Sequence, residues 1–138
     1  RGTFTSALSP PFEDPMGVLH RFIGKGEQYE WEGVSVETYE KGGAVGGSKC
    51  VLIGRSDGAE NFGLRYYEVA PGGQSSFDLH DHDHGVYILR GKARVLMGWE
   101  VVEVGVGDVL YIGSNEQHQF ETIGDEPLGF LCAVPPRD

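Results

Sequence analysis

The sequence predicts an all-β fold, a closed barrel or jelly roll, on three observations. Glycine makes up 22 of the 138 residues, well over the ~7% usual share. These glycines separate short runs rich in Val, Ile, Tyr and Phe, which is the punctuation of many short strands. Sustained helical periodicity is missing apart from a weak trace around Val18 to Ile23.

In chain order, the strand candidates with alternating or β-branched character are Val34 to Tyr39, Cys50 to Ile53, Phe62 to Val69 and Gly85 to Leu89. Then come Ala93 to Met97, Val101 to Val104, Val109 to Ile112, His118 to Thr122 and Leu128 to Val134. Short strands at even spacing favour closure, because a barrel or jelly roll removes or protects its own sheet edges. Residues 1–48 differ in texture: Pro10, Pro11 and Pro15 precede a charged stretch ending in the glycine-rich Gly42 to Gly47. They read as an arm packing on the barrel or on a partner subunit, with residues 49–138 forming the barrel. The glycine-rich stretch lacks the strand and helix context of a phosphate loop and reads as a connector.

Composition excludes several function classes. Eleven Lys plus Arg against 21 Asp plus Glu gives a net charge of −10, unsuited to a nucleic-acid backbone or an anionic membrane surface. No apolar run approaches the roughly 20 residues of a membrane span. Two cysteines, Cys50 and Cys132, are too few for a disulfide framework, and both read as thiols. Arg1 is preceded by no initiating Met and no leader is visible, which leaves room for an upstream segment and makes the cytoplasm the default location.

The chemistry concentrates in the histidines. Three of the five fall within Asp78-Leu79-His80-Asp81-His82-Asp83-His84, and a fourth is His118. Imidazoles crowded on one face repel when protonated and lose solvation when neutral, so a divalent cation on their lone pairs is the simplest stabiliser. Strand parity turns His84, Val86 and Ile88 inward and Tyr87 and Leu89 to the other face, which then needs a partner sheet or subunit. His118, Phe120 and Thr122 share a face, as do Leu128, Phe130, Cys132 and Val134. On the strand before Pro71, either Arg65 or Tyr66 faces the interior, and register alone decides which.

The segment Pro71-Gly72-Gly73-x6-His80-x3-His84-x6-Gly91 resembles the first motif of the cupin family, and Gly107-Asp108-x4-Gly113-x4-His118 resembles its second. The resemblance covers about Phe62 to Val134. It implies a double-stranded β-helix with one metal ion in the barrel mouth. Where the family's common pattern has His-x-His, a Glu and one further His, this chain has Asp78, His80, His84 and His118, so three imidazoles and one carboxylate are kept with the carboxylate moved. Asp is shorter than His, and His82 is the alternative fourth ligand. Nitrogen and oxygen donors suit Mn²⁺ or Fe²⁺, with Ni²⁺, Cu²⁺ or Zn²⁺ also accommodated; the resemblance favours Mn²⁺.

Four protein ligands would leave two adjacent positions for a small hydroxylated carbonyl compound held as a metal-bound enediolate. Cys132, on the strand that lines the pocket in cupins, is either a small core hydrophobe or a catalytic nucleophile. The His-Asp-His-Asp-His run and this cysteine resemble the cupins that release methanethiol from 1-methylthioxylulose 5-phosphate to give deoxyxylulose 5-phosphate. That resemblance implies a step of methionine salvage and an external thiol such as glutathione. Its phosphate calls for local cations, with Lys49, Arg65, Arg90 and Arg94 as candidates in an otherwise acidic chain. The rival readings are a metal-dependent cupin dioxygenase and a non-enzymatic sugar-binding or ligand-sensing cupin. The expected partners are a small-molecule substrate and a second copy in a homodimer.

Overall fold

A computed structural model describes residues 16–24 and 27–136. It is built almost wholly of strands: β1 (Glu37–Tyr39), β2 (Val45–Ile53), β3 (Gly63–Gln74), β4 (His84–Arg90), β5 (Lys92–Met97), β6 (Glu100–Gly105), β7 (Val109–Ile112), β8 (His118–Ile123) and β9 (Leu128–Val134). The single helical element among the described residues is a 3-10 turn at Arg55–Asp57. The weak helical trace around Val18 to Ile23 becomes extended chain, in which Phe22 bridges Trp31. The Pro10, Pro11 and Pro15 stretch lies outside the described residues.

The sheet runs β6-β5-β8-β3-β9-β4-β7, with β2 also on β3 and β1 on β2. It curls on itself because the long β3 belongs to both halves. On one side β2 pairs along it from Leu64 to Gln74; on the other, Gly63 to Val69 pair with β9 and its last residue, Gln74, pairs with Glu121 of β8. The result is the double-stranded β-helix that the two motifs imply. β2 and β3 pair from Val45 onward, so the sheet begins before the expected boundary at Ser48.

Alternation fills the interior. Val86 and Ile88 of β4, Ala93 and Val95 of β5, Phe120 of β8 and Phe130 of β9 are all buried in one cluster. The tight link between β4 and β5 turns on Gly91, whose φ of 75° is left-handed and whose missing side chain leaves room for the Pro127 carbonyl. A side chain there would strike backbone, so only glycine fits.

A second cluster lies on the outer face, where Tyr66 and Leu52 pack with Tyr29, Trp31 and Leu89. Leu89, expected to need a partner sheet or subunit, is covered by the chain's own residues 29–34. Tyr66 stacks on Tyr29 with centroids 5.7 Å apart and meets Trp31 at 5.1 Å, geometries that add to area burial.

Candidate metal centre

Two loop ends meet at the barrel mouth. His80 and His82 lie on the loop before β4, His84 opens β4 and His118 opens β8. The loops are fastened by an Asp78 and His118 backbone pair, in which each N–H donates to the other's carbonyl at 3.0 and 2.9 Å. The Asn115 N–H, from a left-handed residue with φ 63°, donates to the His80 carbonyl. Rings 38 positions apart in the chain are thereby held together.

His80, His84 and His118 each offer a ligand atom, and these atoms all lie within 4.8 Å of one another. His84 and His118 are buried, at 8% and 4% exposure. His118 Nδ1 donates to the Glu116 carbonyl at 2.9 Å, which leaves Nε2 with its lone pair. His84 Nδ1 lies 3.3 Å from Cys132 Sγ, while its Nε2 is buried with no hydrogen-bond partner.

Burial, reinforced by the charges of the neighbouring histidines, pulls His84 down to about 4. The ring is therefore neutral near pH 7, and a neutral imidazole nitrogen with no partner is costly to bury. A divalent cation among the three rings satisfies it, so the residues present fit a metal ion.

The two candidates for a fourth ligand stand at the rim. Asp78 accepts a hydrogen bond from Ser76 Oγ, and its Oδ2 is 3.8 Å from His80 Nε2. His82 stacks parallel on His80, with centroids 4.9 Å apart at 4°, and lies 5.3 Å from His84. The closely grouped ligand atoms belong to the other three histidines.

Inward from the rings lies a cavity of about 390 Å³, with Phe120, Phe130 and Cys132 in its wall. Cys132 is buried and paired across the sheet with Arg65 on one side and Val86 on the other. Burial pushes its thiol up to about 12, with Arg65 pulling the other way. Arg65 and Tyr67 face the cavity, and Tyr66 faces the outer cluster, which resolves the register that the sequence left open.

Tyr39, Lys41 and Ser76 also line the cavity and were not singled out from sequence. Tyr39 Oη hydrogen-bonds Ser76 Oγ at 3.0 Å, and Ser76 in turn holds Asp78. Only the pairing of β1 with β2 carries Tyr39 to this place, and no local pattern announces it. Cys50, given no role by the sequence, is buried in the outer cluster.

Comparison with known proteins agrees with this geometry. The chain is 41% identical over 108 residues, 78% of its length and 69% of the relative's, to a 1-methylthio-D-xylulose 5-phosphate methylsulfurylase of Rhodospirillum rubrum. A cupin-2 domain structure from Rhodospirillum rubrum superposes with a TM-score of 0.73 at 37% identity, covering 85% of this chain and 80% of that one. The polyketide cyclase RemF of Streptomyces resistomycificus superposes with a TM-score of 0.69 at 30% identity, covering 76% and 75%. Among the described residues, no helix is long and apolar enough to cross a membrane. The family model for the cupin domain matches residues 65–134, the span holding both loops, all three grouped histidines and Cys132, and the chain belongs to the cupin family.

Proposed function

We propose that this protein is a metal-dependent cupin enzyme that releases methanethiol from 1-methylthioxylulose 5-phosphate, with Cys132 as nucleophile and His80, His84 and His118 as metal ligands. Asp78 is the proposed fourth ligand. The observation that carries this reading is the 3.3 Å contact between Cys132 Sγ and Nδ1 of His84, which joins a thiol to the metal group inside one cavity. The similarity to a methylsulfurylase over 78% of the chain supports the same reaction.

Held by His80, His84 and His118, a bound Mn²⁺ ion would supply Lewis acidity to the substrate's carbonyl and neighbouring hydroxyl. With His84 Nε2 the atom that would hold the ion, the ring proton would sit on Nδ1, which would donate to Cys132 Sγ and favour the thiolate over the thiol. The thiolate attacks the methylthio sulfur, forming an S–S bond as the C–S bond breaks. The electron pair of the C–S bond passes to the carbon beside the carbonyl, which takes up a proton. Cys132 is left as a mixed disulfide with the methylthio group; one external thiol such as glutathione displaces methanethiol and takes its place on Cys132, and a second displaces Cys132, leaving oxidised glutathione and the free thiol. This need for free thiol supports the cytoplasm as the proposed location.

The test is methanethiol release from 1-methylthioxylulose 5-phosphate by Mn²⁺-loaded protein with and without glutathione. Cys132→Ser should lose at least about a hundredfold in release while keeping its metal and fold, because the hydroxyl is a far poorer nucleophile toward sulfur. Full release by Cys132→Ser would return the thiol to the core and end this reading.

A further inference from the structure

We propose that Lys41, Lys49 and Arg65 form a binding site for the phosphate dianion of a phosphorylated substrate, within the cavity that holds the histidines. The inference rests on the reading that this cavity takes the substrate, and it assigns the residues that select for the anion. The chain as a whole is strongly acidic, at −10. Yet three basic side chains line this one cavity, and among its described lining residues Asp78 is the one carboxylate.

The other cations that the sequence offered for a phosphate are engaged elsewhere. Arg90 pairs with Glu68 at 3.1 Å and Arg94 with Glu121 at 2.7 Å. Lys41, Lys49 and Arg65 form no ion pair among the described residues. Glu37, across from Lys49 on β1, is exposed and does not line the cavity.

Strand register explains the convergence. Lys49 is directly opposite Tyr67 across β2 and β3, and Arg65 lies two residues before Tyr67 on the same face. Lys49, Arg65 and Tyr67 therefore form one patch, and Lys41 lines the same cavity from the loop between β1 and β2. Lys49 Nζ sits 5.8 Å from the Tyr39 ring centroid, and Arg65 Nη1 donates to Tyr67 Oη at 3.4 Å. Having accepted that bond, the Tyr67 hydroxyl keeps its own hydrogen to donate.

Three like charges gathered in a concave, partly shielded space repel one another, and a dianion offsets that repulsion. A guanidinium fork, two ammonium groups and a phenol supply donors for three phosphate oxygens. A carboxylate, with one charge and two oxygens, would leave part of this set unmatched.

Isothermal titration with inorganic phosphate, run on chelator-treated protein and on Mn²⁺-loaded protein, tests the site. Wild-type protein should bind phosphate in both forms, and acetate at least about tenfold more weakly. Lys49→Met and Arg65→Met should each weaken phosphate by about tenfold or more. Lys41→Ala, on an exposed loop where misfolding is not a concern, should weaken it measurably. His84→Ala should lose metal but keep phosphate binding, so failure of the metal reading and failure of this one are distinguishable. The proposal is overturned if metal-free wild-type protein binds no phosphate, if acetate binds equally well, or if the Lys49 and Lys41 variants bind phosphate like wild type.

Discussion

At the scale of single residues, His84 concentrates the chemistry. Its Nδ1 meets a thiol, its Nε2 is buried without a partner, and its surroundings keep it neutral. Neutrality matters because a protonated ring repels a cation, whereas a neutral one offers a lone pair. His84→Ala or His118→Ala should therefore remove most bound metal while the barrel stays folded, since the strands are held by the apolar interior. Metal content by mass spectrometry and far-UV circular dichroism together check this. Stoichiometric metal in either variant would show that the ligand set has been assigned wrongly.

At the scale of elements, the segment before β1 is fastened to the outer face by a histidine. His20 Nδ1 meets the Glu32 carbonyl at 2.9 Å and Nε2 meets Asp57 Oδ1 at 2.8 Å. Both partners are acceptors, so both bonds form only when the ring carries two protons. The Asp57 hydrogen bond, then the Glu32 carbonyl, raise His20 above its ordinary 6.5. The sign follows directly: a raised value in the folded state contributes stability that is complete below 6.5 and fades as pH climbs through the raised value. The His20 contribution should thus decline on the alkaline side, by on the order of 1 kcal/mol or less for a pair so near the surface. His20→Ala should abolish that slope in urea midpoints measured against pH; an unchanged slope would mean another group sets it.

At the scale of the whole molecule, an apolar face on β4 and β7 is left uncovered by the described residues. Tyr87, Val109 and Tyr111 are 42%, 72% and 69% exposed, and the register of β4 with β7 places Tyr87 beside Val109 and Tyr111 beside Gly85. Two aromatic rings and a valine so placed make a contiguous patch at a sheet edge, which proteins commonly cover. We expect a homodimer to cover it. Sedimentation velocity at micromolar concentration should show the dimer, and Val109→Asp should shift the population toward monomer. A 15.0 kDa species alone in the wild type would remove the expectation.

Much of this was legible in the sequence, because the side-chain period of a strand is fixed at two. Parity turns His84, Val86 and Ile88 inward, and glycine turns mark β4 to β9 to within a residue of their observed ends, whereas β1 begins three residues later, β2 five residues earlier and β3 ends five residues later than the sequence predicts. The resemblance of the two motifs to those of the cupin family implies that His80, His84 and His118 meet, and the structure groups their ligand atoms within 4.8 Å of one another. The tertiary structure decided what depends on pairing between distant strands. Arg65 faces the cavity because it pairs with Cys132, and a slip of one residue would have presented Tyr66 instead. Tyr39 and Lys41 reach the cavity because β1 and β2 extend the sheet, and Leu89 is covered because residues 29–34 fold back over it. These are contacts between residues remote in the chain, set by packing, and no local pattern of residue types encodes them.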